Sequence, residues 1–312
     1  VKTVRFHRFG GPEVLRYEDV ERPDPGAGEV RIRVAATSFN SVDAGIRAGL
    51  LRGPVPVRLP HTPGIDVAGT VDALGPGTAD VAVGDHVVGF LPMTAAGAAA
   101  EYVIAPAETL TGVPRQLSLT DVAALPLVGL TAWQAVFDHG NLTAGQRVLI
   151  IGAEGTIGGY AVQLAKEARA HVLATASPHR TTWVTAVGAD EVVDRTLTGV
   201  TERVDLVLDF TPLSAYRMNA LVSLIRDGGT LVSTTAERPV PGDGKRGVRG
   251  VGLRVRGDTD QLADLVARVG TGELFLDVAH RVALADLPAL HARAMTTPLP
   301  GKVVVLAPRP GR

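Results

Sequence analysis

Three glycines stand at even spacing, Gly152, Gly155 and Gly158, inside the stretch IIGAEGTIGGYAVQLAK (150–166). The run ahead of them, RVLII (147–151), reads as a buried strand. Behind them Ile157, Ala161, Leu164, Ala165 and Ala168 recur at helical spacing. Strand, glycine turn and helix in that order bring unpaired backbone N–H groups and the positive end of a helix dipole onto an anion. The pattern is GxxGxxG and not the GxGxxG fingerprint, so the spacing by itself also suits a plain tight βα corner. A second apolar run, HVLATAS, ends about twenty residues further on, where a dinucleotide fold reads its ribose. The sequence there, ATASPHR, offers the Ser177 hydroxyl and the Arg180 guanidinium but no carboxylate. That pair suits a 2′-phosphate better than a bare ribose, and Arg195, after the third strand, is placed to close the pocket. NADPH is therefore expected over NADH.

The elements that must position this corner follow from texture. The first third is rich in Gly, Pro, Val and Thr, and VRIRVAAT (30–37), VAGTVDALG (67–75), DHVVGF (85–90) and AEYVIAP (100–106) read as short strands of an antiparallel β-rich unit. From about Leu119 the pattern changes to a helical stretch carrying a proline, DVAALPLVGLTAWQAVFD, followed by alternating strands and helices. Strands are expected at 147–152, 171–176, 191–194, 204–210, 229–235 and 252–256, and helices near 157–169, 179–187 and 213–226. Continuous Val/Leu/Ile runs separated by helices indicate a parallel sheet covered on both faces. Near Asp258 the rhythm shifts again to a helix through Val269, the strand HRVAL, a helix from Leu284 to Met295 and a last strand KVVVLA, with a frayed PRPGR end.

Composition narrows the function classes. The 312 residues, 46% hydrophobic and 20% charged, describe a soluble globular chain with material for a full core. A formal net charge of −1 argues against nucleic acid or an anionic membrane as partner, and 4% aromatics argues against single-strand stacking platforms. There is no cysteine, so disulfides, a catalytic thiolate and cysteine-ligated zinc are excluded. The eight histidines are scattered without metal-ligand spacing, and no metal site is expected. The opening VKTVRFHRFGG has no apolar signal core and no apolar run is long enough to span a bilayer, which fits a cytoplasmic protein.

In succession, FGGPEVL, NSVDAGIRAG (40–49), LPHTPGIDVAGTVDALG (59–75), VGDHVVG, AEYVIAP, ALPLVGLTAWQAVFD, IIGAEGTIGGYAVQLAK, GADEVVD and GKVVVL resemble the medium-chain dehydrogenase/reductase superfamily, in its zinc-independent quinone oxidoreductase (zeta-crystallin-like) branch. The resemblance runs through nearly the whole chain. It implies an α/β architecture with a Rossmann-type doubly wound parallel sheet domain, 119–257, inserted into a GroES-like β-rich catalytic domain made of 1–118 and 258–312. It places Asn40, Val128–Thr131, Thr234 and Leu253 around a nicotinamide. Gly152, Gly155, Thr156, Ile157, Gly158, Ser177, Arg180, Arg195 and Phe210 hold the rest of the NADPH. Asn40 and Thr131 are the candidate catalytic residues, while Asp43 and Arg47, at i, i+4 spacing, are expected to form a structural pair.

Departures from the resemblance matter as well. Gly45 and Leu51 stand where some quinone reductases of this branch carry tyrosines, which widens the pocket and removes two proton donors. Ile65 stands in the segment where zinc-using relatives carry a histidine. Glu154 replaces a small residue in the phosphate turn, and Arg195 replaces an aromatic. The expected reaction is hydride transfer from NADPH to a quinone or an α,β-unsaturated carbonyl compound, with the Asn40 amide or a main-chain N–H facing the developing oxyanion and the proton coming from water. A biosynthetic enoyl or enone reductase shares every cofactor residue, and a non-catalytic NADPH-binding sensor or structural protein is the reading from another class. The GLRVR run reads as a sheet edge, so a homodimer through Val251 to Arg256 is expected.

Overall fold

The computed structural model of the chain describes residues 1–234, 239–299 and 301–308. Thr235, expected to close the GTLVSTT strand, and residues 309–312 of the PRPGR end lie outside the described residues. Two compact units are present, one made of Val1–Leu127 with Gly257–Arg312 and the other of Val128–Arg256.

In the first unit β1 (Lys2–Phe6) and β2 (Leu15–Asp19) form an antiparallel ribbon. The main sheet uses β3 (Glu29–Ser38), β4 (Asp66–Leu74), β5 (His86–Phe90), β6 (Tyr102–Pro106) and β7 (Leu110–Gly112), with α1 (Ser41–Ala48) following β3. All of their pairings are antiparallel, and alternate residues of β3 and β4 bury Val30, Ile32, Val34, Val67 and Val71 against Val87, Val103 and Leu110. The period-two pattern of the sequence is thus the inward face of this sheet.

The helical stretch after Leu119 is broken by its proline. A 3₁₀ turn covers Asp121–Ala124, and α2 (Pro126–Trp133) starts on Pro126, whose missing N–H costs nothing at a first helical position. A π-helical turn over Gln134–His139 continues it. The second unit then contains β8 (Arg147–Ile151), α3 (Thr156–Glu167), β9 (His171–Thr175), α4 (Thr181–Ala186), β10 (Glu191–Val193), β11 (Val204–Asp209), α5 (Ala215–Ser223), β12 (Ile225–Ser233) and β13 (Arg249–Gly252). Its six strands lie in the order β10-β9-β8-β11-β12-β13, every pairing parallel. The order reverses between β8 and β11, and the crevice beyond the strand ends at such a switch point is where open α/β sheets bind ligands.

One strand differs from the sequence reading. GLRVR does not pair as a strand beyond Gly252: β13 occupies Arg249–Gly252, opposite Thr230–Ser233. Leu253 donates its N–H to the Ser233 carbonyl at 2.8 Å, and there β12 ends. The alternation of Leu253, Arg254, Val255 and Arg256 is present in their burial, but among the described residues the strand pairing of β13 with β12 ends at Gly252 opposite Ser233. The helix expected at 213–226 is also shorter, because the Ser214 hydroxyl caps it by accepting from Arg217 N–H and β12 begins at Ile225.

The first unit is completed by α6 (Thr259–Thr271), β14 (Val278–Ala283), α7 (Leu287–Thr296) and β15 (Lys302–Leu306), which pairs antiparallel with β3 and parallel with β14. Its interior holds titratable groups with consequences for stability. Burial pushes His61 down to about 4, and burial together with the Arg47 charge pushes His291 down to about 3. Both are neutral when folded but take a proton near 6.5 when unfolded, so they destabilise the fold as pH drops below that value. Asp43 acts with the opposite sign: burial raises it to about 7, so its protonated form favours the fold as pH falls from there toward 3.8. Asp209 in the second unit, also raised by burial, acts in the same sense as Asp43. The histidine contribution is therefore read as a difference between variants: by urea unfolding, His291→Gln is expected to lose about 1.4 kcal/mol less stability per pH unit than its parent between about pH 6 and pH 4.5, and equal slopes would refute the assignment.

Candidate functional site

The glycine corner sits at the end of β8, the strand beside the switch point. Gly152 has φ +81, a left-handed conformation natural to glycine, and a Cβ there would meet Thr211 Cγ2 at 2.6 Å. Its N–H is held by the Thr175 hydroxyl at 3.0 Å, which ties the turn to the end of β9. The ladder of α3 takes up Gly159 N–H on the Gly155 carbonyl at 2.9 Å, so the amides of Thr156, Ile157 and Gly158 precede the first helical bond and face outward along the axis. Gly158 brings α3 close onto the turn, since a Cβ there would lie 2.6 Å from Ala153 Cα and closer still to the Gly152 carbonyl oxygen. This cradle has the donors and the close approach that a diphosphate needs.

The ends of the neighbouring strands supply the side chains. Glu154, in the turn, reaches the residue after β9: its Oε2 accepts Ser177 N–H at 2.9 Å and the Ser177 hydroxyl at 2.5 Å. Its Oε1 accepts Arg195 Nη2 at 2.7 Å from the segment after β10. Partial burial pushes Glu154 up, but the Ser177 and Arg195 donors more than offset it and leave the carboxyl below its usual range. Arg180 lies over the Trp183 ring at 4.1 Å, and Trp183 in turn packs on Gly159 of α3. Phe210 follows β11 with its N–H on the Ile151 carbonyl, Thr234 bonds the Asp209 carbonyl, and Leu253 bonds Ser233. Asp209, fully buried, braces these ends by accepting from the Thr211 N–H, the Thr211 hydroxyl and the Ser233 hydroxyl. The sequence-expected cofactor residues of this unit therefore gather at the carboxyl ends of its strands, and Glu154, Thr175, Trp183 and Asp209 join them. Sequence spacing flagged Glu154 only as a departure, because its partners are adjacent in the sheet and not in the chain.

In the first unit Asn40 caps the start of α1 and is buried. Its Nδ2 donates to Asp66 Oδ2 at 2.9 Å and to Ser38 Oγ at 3.4 Å, and its Oδ1 accepts from Lys302 Nζ. Asp66 also accepts from the Ser38 hydroxyl and from Leu127 N–H, and it lies 3.4 Å from Lys302 Nζ. The pair expected between Asp43 and Arg47 does not form. Asp43 Oδ1 is taken by Gly64 N–H at 2.9 Å, Arg47 Nη2 faces Met295 Sδ at 4.0 Å, and among the described residues no carboxylate lies within ion-pair distance of Arg47. Helical spacing makes such a pair available, but the carboxylate is held through Oδ1 by the Gly64 amide instead. Thr131 is buried on α2. Among the described residues no group of three or more His, Asp or Glu side chains is arranged to hold a metal ion, and no helix is long and apolar enough to cross a membrane.

Comparison with known proteins bears on the same elements. Residues 26–115 match the alcohol dehydrogenase GroES-like domain family, and residues 187–305 match the zinc-binding dehydrogenase family. The chain is 33% identical over 252 residues to a quinone oxidoreductase of Lama guanicoe, covering 77% of this chain and 74% of that one. It belongs to the medium-chain dehydrogenase/reductase superfamily, in the quinone oxidoreductase branch. Another member of this branch, the chloroplastic quinone-oxidoreductase homolog of Spinacia oleracea, is 38% identical over 190 residues, 59% of this chain and 58% of that one. The chain thus spans about 60% of the length of the chloroplast quinone-oxidoreductase relatives it matches. Among solved structures, an NAD-dependent alcohol dehydrogenase superposes with a TM-score of 0.88 at 30% identity, covering 98% of this chain and 99% of that one. A mycobacterial protein solved in complex with NADPH superposes with a TM-score of 0.84 at 28% identity, covering 98% of this chain and 100% of that one. The fold common to the superfamily is the one the two units display, a GroES-like β-rich unit and a Rossmann-type parallel sheet. Within it this chain has no cysteine to offer zinc.

Proposed function

We propose that this chain is a zinc-free, NADPH-dependent oxidoreductase that transfers hydride to a quinone or an α,β-unsaturated carbonyl compound. The observation that carries the reading is the glycine cradle at the end of β8, at the switch point of a six-stranded parallel sheet, with Ser177, Arg180 and Arg195 after the next strands. The dinucleotide, when bound, supplies the hydride. The chain's residues would bind and orient it: the α3 amides would hold the diphosphate, and Arg180, stacked on Trp183, would supply a guanidinium to the 2′-phosphate. Asn40 acts as a positioning residue, because both its amide nitrogen and its carbonyl oxygen are committed to Ser38, Asp66 and Lys302. A main-chain N–H or water then meets the developing oxyanion, and the final proton comes from water. Membership of the quinone oxidoreductase branch supports the acceptor class.

The test is coenzyme titration by fluorescence followed by turnover on a panel of quinones and enones. NADPH is expected to bind more tightly than NADH, and Arg180→Ala to weaken NADPH about tenfold with little effect on NADH. Tight NADPH binding without turnover of any acceptor would favour a sensor. Failure of both coenzymes to bind would overturn the proposal. The place of Arg249–Gly252 at the end of the strand order supports the further expectation of a two-fold dimer, since the last strand of a sheet is a common pairing site; light scattering that shows only monomer at micromolar concentration would exclude it.

A further inference from the structure

We infer that Glu154 reads the 2′ position of the adenosine ribose and holds down the preference for the phosphorylated coenzyme. The inference rests on the coenzyme-binding reading above. Residues after three adjacent parallel strands, β10, β9 and β8, meet in one network: Arg195, Ser177 and Glu154. Arg195 and Ser177 are the groups that sequence chemistry assigns to a 2′-phosphate, and both are already engaged by the Glu154 carboxylate. The carboxylate is held in place by three hydrogen bonds, one of them from Arg195, with its side chain 22% exposed while that of Arg195 is 73% exposed.

The two coenzymes meet this network differently. A ribose 2′-hydroxyl is a donor, and a carboxylate beside it is the acceptor that NAD-binding folds place at this point of the sheet, usually from the end of the second strand. Here the same chemistry comes from the turn after β8 and reaches the end of β9 from the side. A 2′-phosphate offers only acceptors and negative charge. To use the Ser177 hydroxyl it must displace Glu154, and at Arg195 it must share a guanidinium whose charge Glu154 already offsets, so in both cases it lies next to a like charge. Arg195 is neutralised in advance by the Glu154 carboxylate. The chain should therefore take NADH as well as NADPH, with affinities within about tenfold of each other.

Direct titration of the intact chain with both coenzymes tests this. Glu154→Gln, which keeps the size and removes the charge, is expected to tighten NADPH about tenfold and to change NADH less than threefold. Glu154→Ala, which places a small residue in the turn, is expected to shift the ratio the same way, and it guards against a folding defect peculiar to one variant. Arg195→Ala should cost little NADPH affinity in the parent chain but about tenfold in the Glu154→Gln background, where the guanidinium is released. An NADPH/NADH ratio that neither Glu154 variant alters, or an Arg195→Ala effect equal in both backgrounds, overturns the inference while leaving coenzyme binding intact. A parent chain that binds neither coenzyme overturns the functional reading itself, and this inference with it.

Discussion

Gly158→Ala is expected to abolish coenzyme binding and to destabilise the nucleotide unit by at least about 3 kcal/mol, whereas Gly155→Ala leaves its stability nearly unchanged. The contrast comes from what each added Cβ would meet. At Gly158 it would run into the Gly152 carbonyl oxygen and come within 2.6 Å of Ala153 Cα and 2.8 Å of the Gly152 carbonyl carbon. All three are backbone atoms of the turn, so no side chain can rotate away. Relief requires α3 to lift from the end of β8, yet Tyr160, Ala161, Leu164 and Ala165 of that helix are buried beneath it. Moving the helix also withdraws the amides of Thr156 and Ile157 from the cradle. Gly155 is different: its φ of −86 and ψ of 172 suit any residue, and its nearest neighbour would be the Gly152 oxygen at 3.2 Å. Any coenzyme affinity lost in Gly155→Ala then reports close approach of ligand, not damage to the fold. Thermal unfolding and NADPH titration of the two variants decide the matter, and a Gly158→Ala protein that melts within about 2 °C of its parent would show that the turn yields more easily than its backbone contacts allow.

The parts of this architecture that could be read from residues alone are those set by local periodicity. RVLII, HVLAT and VDLVLD are continuous apolar runs because both faces of a parallel sheet are covered, and each became a strand within a residue of its expected bounds. The GxxGxxG corner was legible for the same reason, since strand, turn and helix are contiguous in the chain. What escaped is whatever depends on strand order. Glu154 meets Ser177 and Arg195 only because β8, β9 and β10 are neighbours, and residues 23 and 41 positions apart carry no mutual signal in a single sequence. The edge strand was misplaced because alternation in LRVR persists past the end of its partner. Asp43 and Arg47 do not pair, and the amide that does hold Asp43 Oδ1 comes from Gly64, a partner that helical spacing does not register. Lys302 gave no sign at all: a lysine opening the run KVVVL reads as the solvated start of a strand, and it is instead among the most buried charges of the first unit.

That burial leads to the other large expected effect. Lys302 is 2% exposed and Asp66 fully enclosed, and their contact at 3.4 Å is supplemented by Asn40, which bonds both. Burial drives the Lys302 ammonium down from its ordinary value while the Asp66 and Asp43 carboxylates hold it up, so the cation persists because anions are sited next to it. Removing one partner leaves the other charge uncompensated in a medium that cannot solvate it, which typically costs about 3–5 kcal/mol. Lys302→Met is therefore expected to lower stability by that amount, and Asp66→Asn by a similar one. The double variant, which has neither charge, should recover much of the loss, giving a coupling of at least about 2 kcal/mol in a double-mutant cycle. Asn40 loses the ammonium donor to its Oδ1 in Lys302→Met and the carboxylate acceptor of its Nδ2 in Asp66→Asn, and with either its fixed orientation at the start of α1, so turnover should fall more than coenzyme affinity. Additive losses in the cycle, or a Lys302→Met protein within about 1 kcal/mol of its parent by urea unfolding, would mean that the ammonium finds its solvation elsewhere and that Asn40 is held by Ser38 and Asp66 without it.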